Sequence, residues 1–235
     1  MSAIRLFFSQ SLSLNLSAKL TKAQSHYLTK VMRIKSGETF SLFNKKGEWR
    51  AEIKEISKGE VIFVVQKKIR EENKEKDIWL AFSPIKSNYF NFMIQKATEL
   101  GVNKFIPVIS GRTIVRKVNI ERLEKVIIEA SEQSNRLIVP KVERAITLQK
   151  FLIDNEKLNI IFGDLNTGNN NLDLNQVKNK PICILIGPEG DFSEEERQQI
   201  LKLKNLQPIK LNNNILRTET AALSALSIVN YILNL

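Results

Sequence analysis

The sequence predicts two units: a small β-barrel in residues 1–72, then an α/β domain with a mostly parallel sheet in residues 73–235. Three observations carry this. Short apolar runs alternate with turn signals through the first 70 or so residues, the spacing of a small barrel. Further on, apolar strands alternate with segments of helical periodicity, the pattern of a parallel α/β sheet. Between the two lies Arg70–Lys76 (REENKEK), a charged run without an apolar residue.

In the front unit, Ile4–Phe8, Thr39–Phe43, Trp49–Ile56 and Glu60–Gln66 read as strands. Turns are marked by Lys35-Ser36-Gly37, Lys45-Lys46-Gly47 and Lys58-Gly59, and Ala23–Val31 is the one helix expected there. In the second unit, buried strands are expected at Ile78–Phe82, Lys104–Ile109, Asn159–Phe162, Ile182–Ile186 and Pro208–Leu211. Helical spacing puts Phe90, Ile94 and Ala97 on one face of Tyr89–Leu100, with Gly101 as the C-terminal stop. It stacks Leu123, Ile127, Ala130 and Leu137 along Glu121–Leu137. Ser193 with Glu196 three residues on is a capping-box signal ahead of Ile200 and Leu203. A last helix from about Thr220 aligns Ala222, Leu226, Val229 and Leu233. Asn166–Asn171 (NTGNNN) reads as a short flexible loop.

Composition narrows the chemistry. Cys183 and His26 are the only residues of their types, so no intrachain disulfide or Cys/His zinc site is available. Nucleophilic catalysis with a histidine base would depend on His26 alone, and Cys183 sits in an apolar strand as a core residue. No metal is expected. No apolar run reaches membrane-span length and the first 15 residues lack a secretion pattern, so a cytoplasmic protein with no membrane partner is expected. The net charge is +11, and residues 1–72 hold 14 basic against 7 acidic residues. A basic front unit suits a polyanion, although solubility alone also explains basic charge.

Five segments combine chemistry with position. Gly187–Ser193 (GPEGDFS) follows an apolar strand and precedes a capped helix, so two glycines and a proline make a tight turn open to a ligand. Glu194, Glu195 and Glu196 open that helix and would repel phosphate, favouring a cationic or neutral ligand; an ordinary strand–helix turn is the plainer reading. Leu211–Ala222 (LNNNILRTETAA) places Arg217, Thr218, Glu219 and Thr220 at a strand–helix junction. Capping accounts for the threonines and Glu219 but not for Arg217, which a helix N-terminus disfavours. Gln95–Val102 (QKATELGV), with Gln95 and Glu99 on one face, reads on pattern alone as a solvated helix face. Ile109–Arg116 (ISGRTIVR) and Glu129–Arg136 (EASEQSNR) carry Arg112, Arg116 and Arg136, suited to phosphate or base edges; a Glu132–Arg136 ion pair is the alternative. His26–Arg33 (HYLTKVMR) adds Lys30 and Arg33 to the basic front unit.

The set HYLTKVMR, QKATELGV, EASEQSNR, GPEGDFS and ILRTETAALSAL, in this order, resembles the bacterial 16S ribosomal RNA uridine-N3 methyltransferases, the RsmE family. The resemblance spans nearly the whole chain. It implies a PUA-like RNA-binding barrel at the N-terminus and a C-terminal SPOUT α/β domain with a deep trefoil knot. It also implies a homodimer that binds S-adenosylmethionine (SAM) and methylates N3 of a uridine in 16S rRNA of the 30S subunit. Carried onto this chain, the cofactor loops are Ile161–Asp164, Gly187–Gly190 and Leu211–Thr220, with contacts at Phe162, Gly163, Gly187, Pro188, Glu189, Gly190, Leu211, Leu216, Thr218, Thr220 and Ala221. Arg217 is expected to stabilise the uracil anion, Glu219 and Thr220 to position base and cofactor, and Glu189 to serve as alternative base. Lys30, Arg33, Arg112, Arg116 and Arg136 are expected to hold RNA. Two departures stand out. Asp191 replaces a second glycine of the family, and Asn212 and Asn214 stand where Gly and Arg are usual; Asn212 is expected to keep the bend through a left-handed φ. The alternatives are a non-catalytic RNA-binding or ribosome-assembly protein on this fold, a SPOUT enzyme for another RNA, and an unrelated small-molecule α/β enzyme.

Overall fold

The computed structural model describes residues 4–72, 75–173 and 181–233. They form two compact units: residues 1–74 with Ser131–Val139, and Glu75–Ala130 with Pro140–Leu235. Asn73 and Lys74 of the expected charged boundary lie outside the described residues.

The first unit holds a sheet of order β1-β3-β4-β5-β2, built from β1 (Arg5–Phe7), β2 (Ser17–Lys19), β3 (Thr39–Asn44), β4 (Gly47–Ser57) and β5 (Glu60–Glu71). Alternation along the strands makes its core: Ala51 and Ile53 of β4 and Val61, Phe63 and Val65 of β5 are fully buried. The β4–β5 turn has Lys58 and Glu60 on either side of Gly59, with φ of 49° at Lys58 and 81° at Gly59, the paired left-handed geometry of a tight hairpin. Gly47 is required at the β3–β4 turn, because a Cβ there would lie 2.4 Å from the Arg70 carbonyl oxygen.

The helix expected at Ala23–Val31 is split. A capping box of Thr21 and Gln24 starts α1 (Lys22–His26), and the chain then widens into a π-turn over Tyr27–Val31, closed by Met32 N donating to Tyr27 O at 2.9 Å.

Residues 131–139 join this unit through Arg5. Its guanidinium donates to Glu48 Oε2 at 3.0 Å, to the carbonyls of Ser131, Glu132 and Arg136 at 3.0, 3.2 and 2.7 Å, and lies over the Phe43 ring. Burial lowers the Arg5 pKa, with Glu48 opposing that shift. Glu132 in turn accepts from Phe7 N at 2.9 Å.

The second unit holds a parallel sheet of order β12-β10-β11-β6-β7-β8, with β9 also on β7. Its strands are β6 (Ile78–Phe82), β7 (Val102–Ile109), β8 (Lys141–Val142), β9 (Ile146–Thr147), β10 (Asn159–Gly163), β11 (Ile182–Ile186) and β12 (Leu206–Ile209). The helices are α2 (Ser87–Glu99), α3 (Ile120–Gln133), α4 (Leu148–Asp154), α5 (Glu194–Leu201) and α6 (Thr218–Leu233). All five residues of β11 are buried, which is why its sequence is an unbroken apolar run. Burial pushes the Cys183 thiol up to about 12. A thiol reagent should therefore leave the native protein unlabelled at neutral pH and label one thiol per chain after denaturation; fast native labelling would contradict this packing.

Two expectations change here. Helix α3 stops at Gln133, four residues before Leu137, because Asn135 takes a left-handed φ of 62° and Arg136 N donates back to Ser131 O at 3.3 Å. The Asn166–Asn171 segment is pinned along β12: Asn169 Nδ2 donates to Pro208 O at 2.9 Å, and Lys210 N donates to Asn169 O at 2.8 Å.

The sheet order positions the site. The chain leaves β11, forms α5, crosses β10 and enters β12, so the carboxyl ends of β12, β10 and β11 lie side by side. Such ends are where open α/β sheets bind ligands.

Candidate functional site

A cavity of about 270 Å³ opens at those three strand ends. Its first wall is Gly163, Asp164 and Leu165 at the end of β10. A Cβ at Gly163 would sit 2.9 Å from Ile186 Cδ1 and 3.4 Å from Leu211 Cδ1, so any side chain there would displace both neighbours. Asp164 is almost fully buried, and Arg197 of α5 forks onto both its oxygens: Nε to Oδ1 at 3.0 Å and Nη2 to Oδ2 at 2.9 Å. That bond raises the Arg197 pKa.

The second wall is the turn from Ile186 to Asp191. Asp191 N donates to Pro188 O at 2.9 Å, and Asp191 takes a φ of +57°. A Cβ at Gly187 would press on the Phe192 ring at 3.0 Å. Ser193 and Glu196 form the expected capping box at the start of α5.

The left-handed residue of the site is thus Asp191, while Asn212 is not among the described residues with positive φ. Asn212 makes its bend differently, its Oδ1 accepting from Asn214 N at 2.9 Å. Asp191 Oδ1 accepts from Phe192 N at 2.7 Å, which supports its own turn. Replacing Asp191 by Gly should relieve the left-handed strain and lose this bond, two effects of about 1 kcal/mol each that nearly cancel. Asp191→Ala keeps the strain and loses the bond, so it should cost about 1–2 kcal/mol in urea unfolding. Equal stability of the two variants would contradict the account.

The third wall runs from Ile209 to Ala221. Thr218 Oγ1 donates to Gly187 O at 3.2 Å, which ties this segment to the second wall.

Most of the expected cofactor residues come together here. Gly163, Gly187, Pro188, Glu189 and Gly190 line the cavity, as do Leu211, Leu216, Thr218 and Ala221. Phe162 and Thr220 do not: Phe162 is core, its ring centroid 5.8 Å from that of Phe192, and Thr220 faces solvent on α6. Of the three expected catalytic residues, only Glu189 lines the cavity. Arg217 is exposed just before α6 with its guanidinium 5.5 Å from the Tyr89 ring centroid, and Glu219 is buried in the first turn of α6.

The expected RNA-binding residues divide. Lys30 and Arg33 are exposed in the first unit, Arg33 with a left-handed φ of 56°. Arg112 and Arg116 are exposed in the second. Arg136 is buried, 7% exposed, and is thereby withdrawn from open phosphate contact.

Asp164 and Ile215 line the cavity within the expected cofactor loops, whereas sequence reasoning missed Leu165, Ile186 and Ile209 in the lining, and Arg197 behind it. Among the described residues, no three His, Cys, Asp or Glu side chains are grouped as metal ligands, and no helix is long and apolar enough to cross a membrane.

The RNA methyltransferase domain family matches residues 71–230, and the RNA methyltransferase PUA domain family matches residues 20–66. A ribosomal RNA small subunit methyltransferase E from Rickettsia conorii is 35% identical over 227 residues, covering 95% of this chain and 93% of that protein. The chain belongs to the ribosomal RNA small subunit methyltransferase E family. Strands β3 and β4 and most of β5 fall in the matched PUA domain, and the parallel sheet falls in the matched methyltransferase domain, of SPOUT class. Among solved structures, a family member from Neisseria gonorrhoeae bound to S-adenosyl methionine superposes with a TM-score of 0.89 at 29% identity, covering 98% of each chain. A methyltransferase from Legionella pneumophila in complex with SAM gives 0.88 at 27% identity, covering 99% of this chain and 98% of that one.

Proposed function

We propose that the chain methylates N3 of a specific uridine in 16S rRNA of the small ribosomal subunit, with SAM as donor. The observation that carries this is the cavity at the ends of β10, β11 and β12, in a chain that matches this family over nearly its full length. The residues present fit the cofactor. Gly163 presents bare backbone at the cavity wall, and Leu165, Ile186, Ile209, Leu211 and Leu216 offer apolar surface to a purine ring. Glu189 and Asp191 put carboxylates on a cavity suited to a cation.

Bound SAM supplies a methyl group on a cationic sulfonium. The chain must present an unpaired uridine, accept its N3 proton and stabilise the anion that attacks the methyl carbon. Glu189 accepts that proton, since it alone of the expected catalytic residues lines the cavity. Arg217 stabilises the uracil anion, and Glu219, buried in the first turn of α6, fixes the helix end that carries it. Lys30 and Arg33 on the front domain and Arg116 on the second bind RNA phosphate. The crossing of β11 to β12 over β10, and the return of Thr218 to Gly187, suit a knotted chain. A homodimer is supported by exposed apolar side chains on α2 and α6: Tyr89, Phe92 and Tyr231. A ribosomal RNA substrate places the protein in the cytoplasm.

The test is incubation with labelled SAM and 30S subunits that lack this modification, followed by mapping of the labelled nucleoside. N3-methyluridine at one 16S position is the expected product. SAM binding without label would redirect the activity to another RNA. Neither binding nor label would favour a ribosome-assembly protein on this fold.

A further inference from the structure

The loop after β7 is fastened at two points, one on the second wall of the cavity and one on the start of α5 that follows it. Arg112 Nη1 donates to Gly190 O at 2.8 Å and to Phe192 O at 3.4 Å. Its side chain also lies along Gly190, where a Cβ would meet Arg112 Cδ at 3.7 Å. The second point is Glu196. One carboxylate oxygen closes the capping box on Ser193 N at 2.9 Å, and the other accepts from Gly111 N at 2.7 Å. The loop is itself anchored: Ser110 and Thr113 are buried, their hydroxyls are 2.8 Å apart, and Thr113 reaches Ser83 Oγ at 3.4 Å. The foot of the loop is therefore fixed in the core while its arginine holds a carbonyl of the turn.

We propose that Arg112 is a positioning residue for the cofactor rather than a ligand of RNA phosphate. With Glu196, it holds the Gly187–Gly190 turn in the shape that closes the cavity before any RNA arrives. The proposal rests on the cavity being the SAM site. The charged donor on the Gly190 carbonyl is stronger than a neutral one, and the turn has few other holds. Gly187 is tied by Thr218 and Asp191 by Pro188; Arg112 supplies the hold on Gly190.

The test is a calorimetric titration of SAM without RNA, using the full chain and its R112A and R112K variants. R112A should weaken SAM binding about ten- to hundredfold, the loss expected for a hydrogen bond from a charged group. R112K should recover part of it, because an ammonium donates to one carbonyl where the guanidinium reaches two. In turnover with 30S subunits, R112A should raise KM for SAM more than it lowers kcat and leave KM for 30S nearly unchanged. R112A combined with E196A should weaken binding by less than the product of the two single effects, since both act on one turn. Wild-type SAM affinity in R112A or R112K, with KM for 30S raised instead, overturns the proposal and makes Arg112 a phosphate ligand. If R112A loses its native circular dichroism, R112K decides alone: intermediate affinity supports the proposal and wild-type affinity overturns it. Failure of the unmutated chain to bind SAM would overturn the cofactor assignment beneath it.

Discussion

Arg217→Ala should lower kcat for 16S methylation by about 10²–10³-fold, the loss usual for one donor to a developing anion. SAM affinity should stay within a few-fold, because Arg217 does not line the cavity. Stability should hold or rise slightly. The residue precedes α6 directly, where its positive charge opposes the helix dipole, and its side chain is exposed. Its guanidinium lies 5.5 Å from the Tyr89 ring, a cation–π contact worth about 0.5–1 kcal/mol at an exposed site. Tyr89→Leu should therefore lower activity by a smaller factor, through a guanidinium less well held. Arg217→Lys keeps the charge, loses the planar fork and should fall between. Single-turnover assays with SAM and 30S saturating separate this from a binding defect. Near-wild-type turnover in Arg217→Ala would remove the residue from the mechanism.

What the sequence revealed, and what it hid, follows from the range of the physics involved. The β11 strand was legible because burial on both faces demands an unbroken apolar run. The start of α5 was legible because a capping box is closed by two residues three apart. Strands β8 and β9 were not, being two residues each and too short for any period. Helix α4 was missed with them, although Thr147 caps it by accepting from Lys150 N at 3.2 Å. The end of α3 was misplaced because apolar spacing continues to Leu137 after the backbone has turned at Asn135. That turn also carries Arg136 off the helix and into the interior.

In the site, the glycine turn and the segment from Leu211 to Ala221 were readable because each is a local motif. The choice between Asn212 and Asp191 as the left-handed residue was not, since both types tolerate that geometry and only the path of the chain decides. The roles of Arg112 and Arg197 lay further out of reach. Each acts on a partner far along the chain, Arg112 on Gly190 and Arg197 on Asp164, and no local pattern encodes such pairs.

Arg197→Met should destabilise the protein by about 3 kcal/mol, at the lower end of the range for breaking a buried ion pair. The Asp164 side chain is 1% exposed, and Arg197 donates to both its oxygens, so the variant strands a carboxylate away from water. The lower end applies because Arg197 itself is 18% exposed and solvent already reaches part of the pair. For a unit of this size the melting temperature should drop by about 6–12 °C. Asn166 N also donates to Asp164 Oδ1, at 3.0 Å, and the carboxylate keeps that one bond. Because Asp164 lines the cavity, SAM binding should weaken in parallel at temperatures where the variant is folded. A second substitution distinguishes the buried charge from lost packing. Asp164→Asn placed on Arg197→Met removes the unpaired charge, so it should restore more than half of the lost stability. If the double variant is no more stable than Arg197→Met alone, the cost lies in the packing of the arginine stem and not in the stranded carboxylate. If Arg197→Met melts with the wild type, solvent must already satisfy Asp164, and the fork does not hold the end of β10.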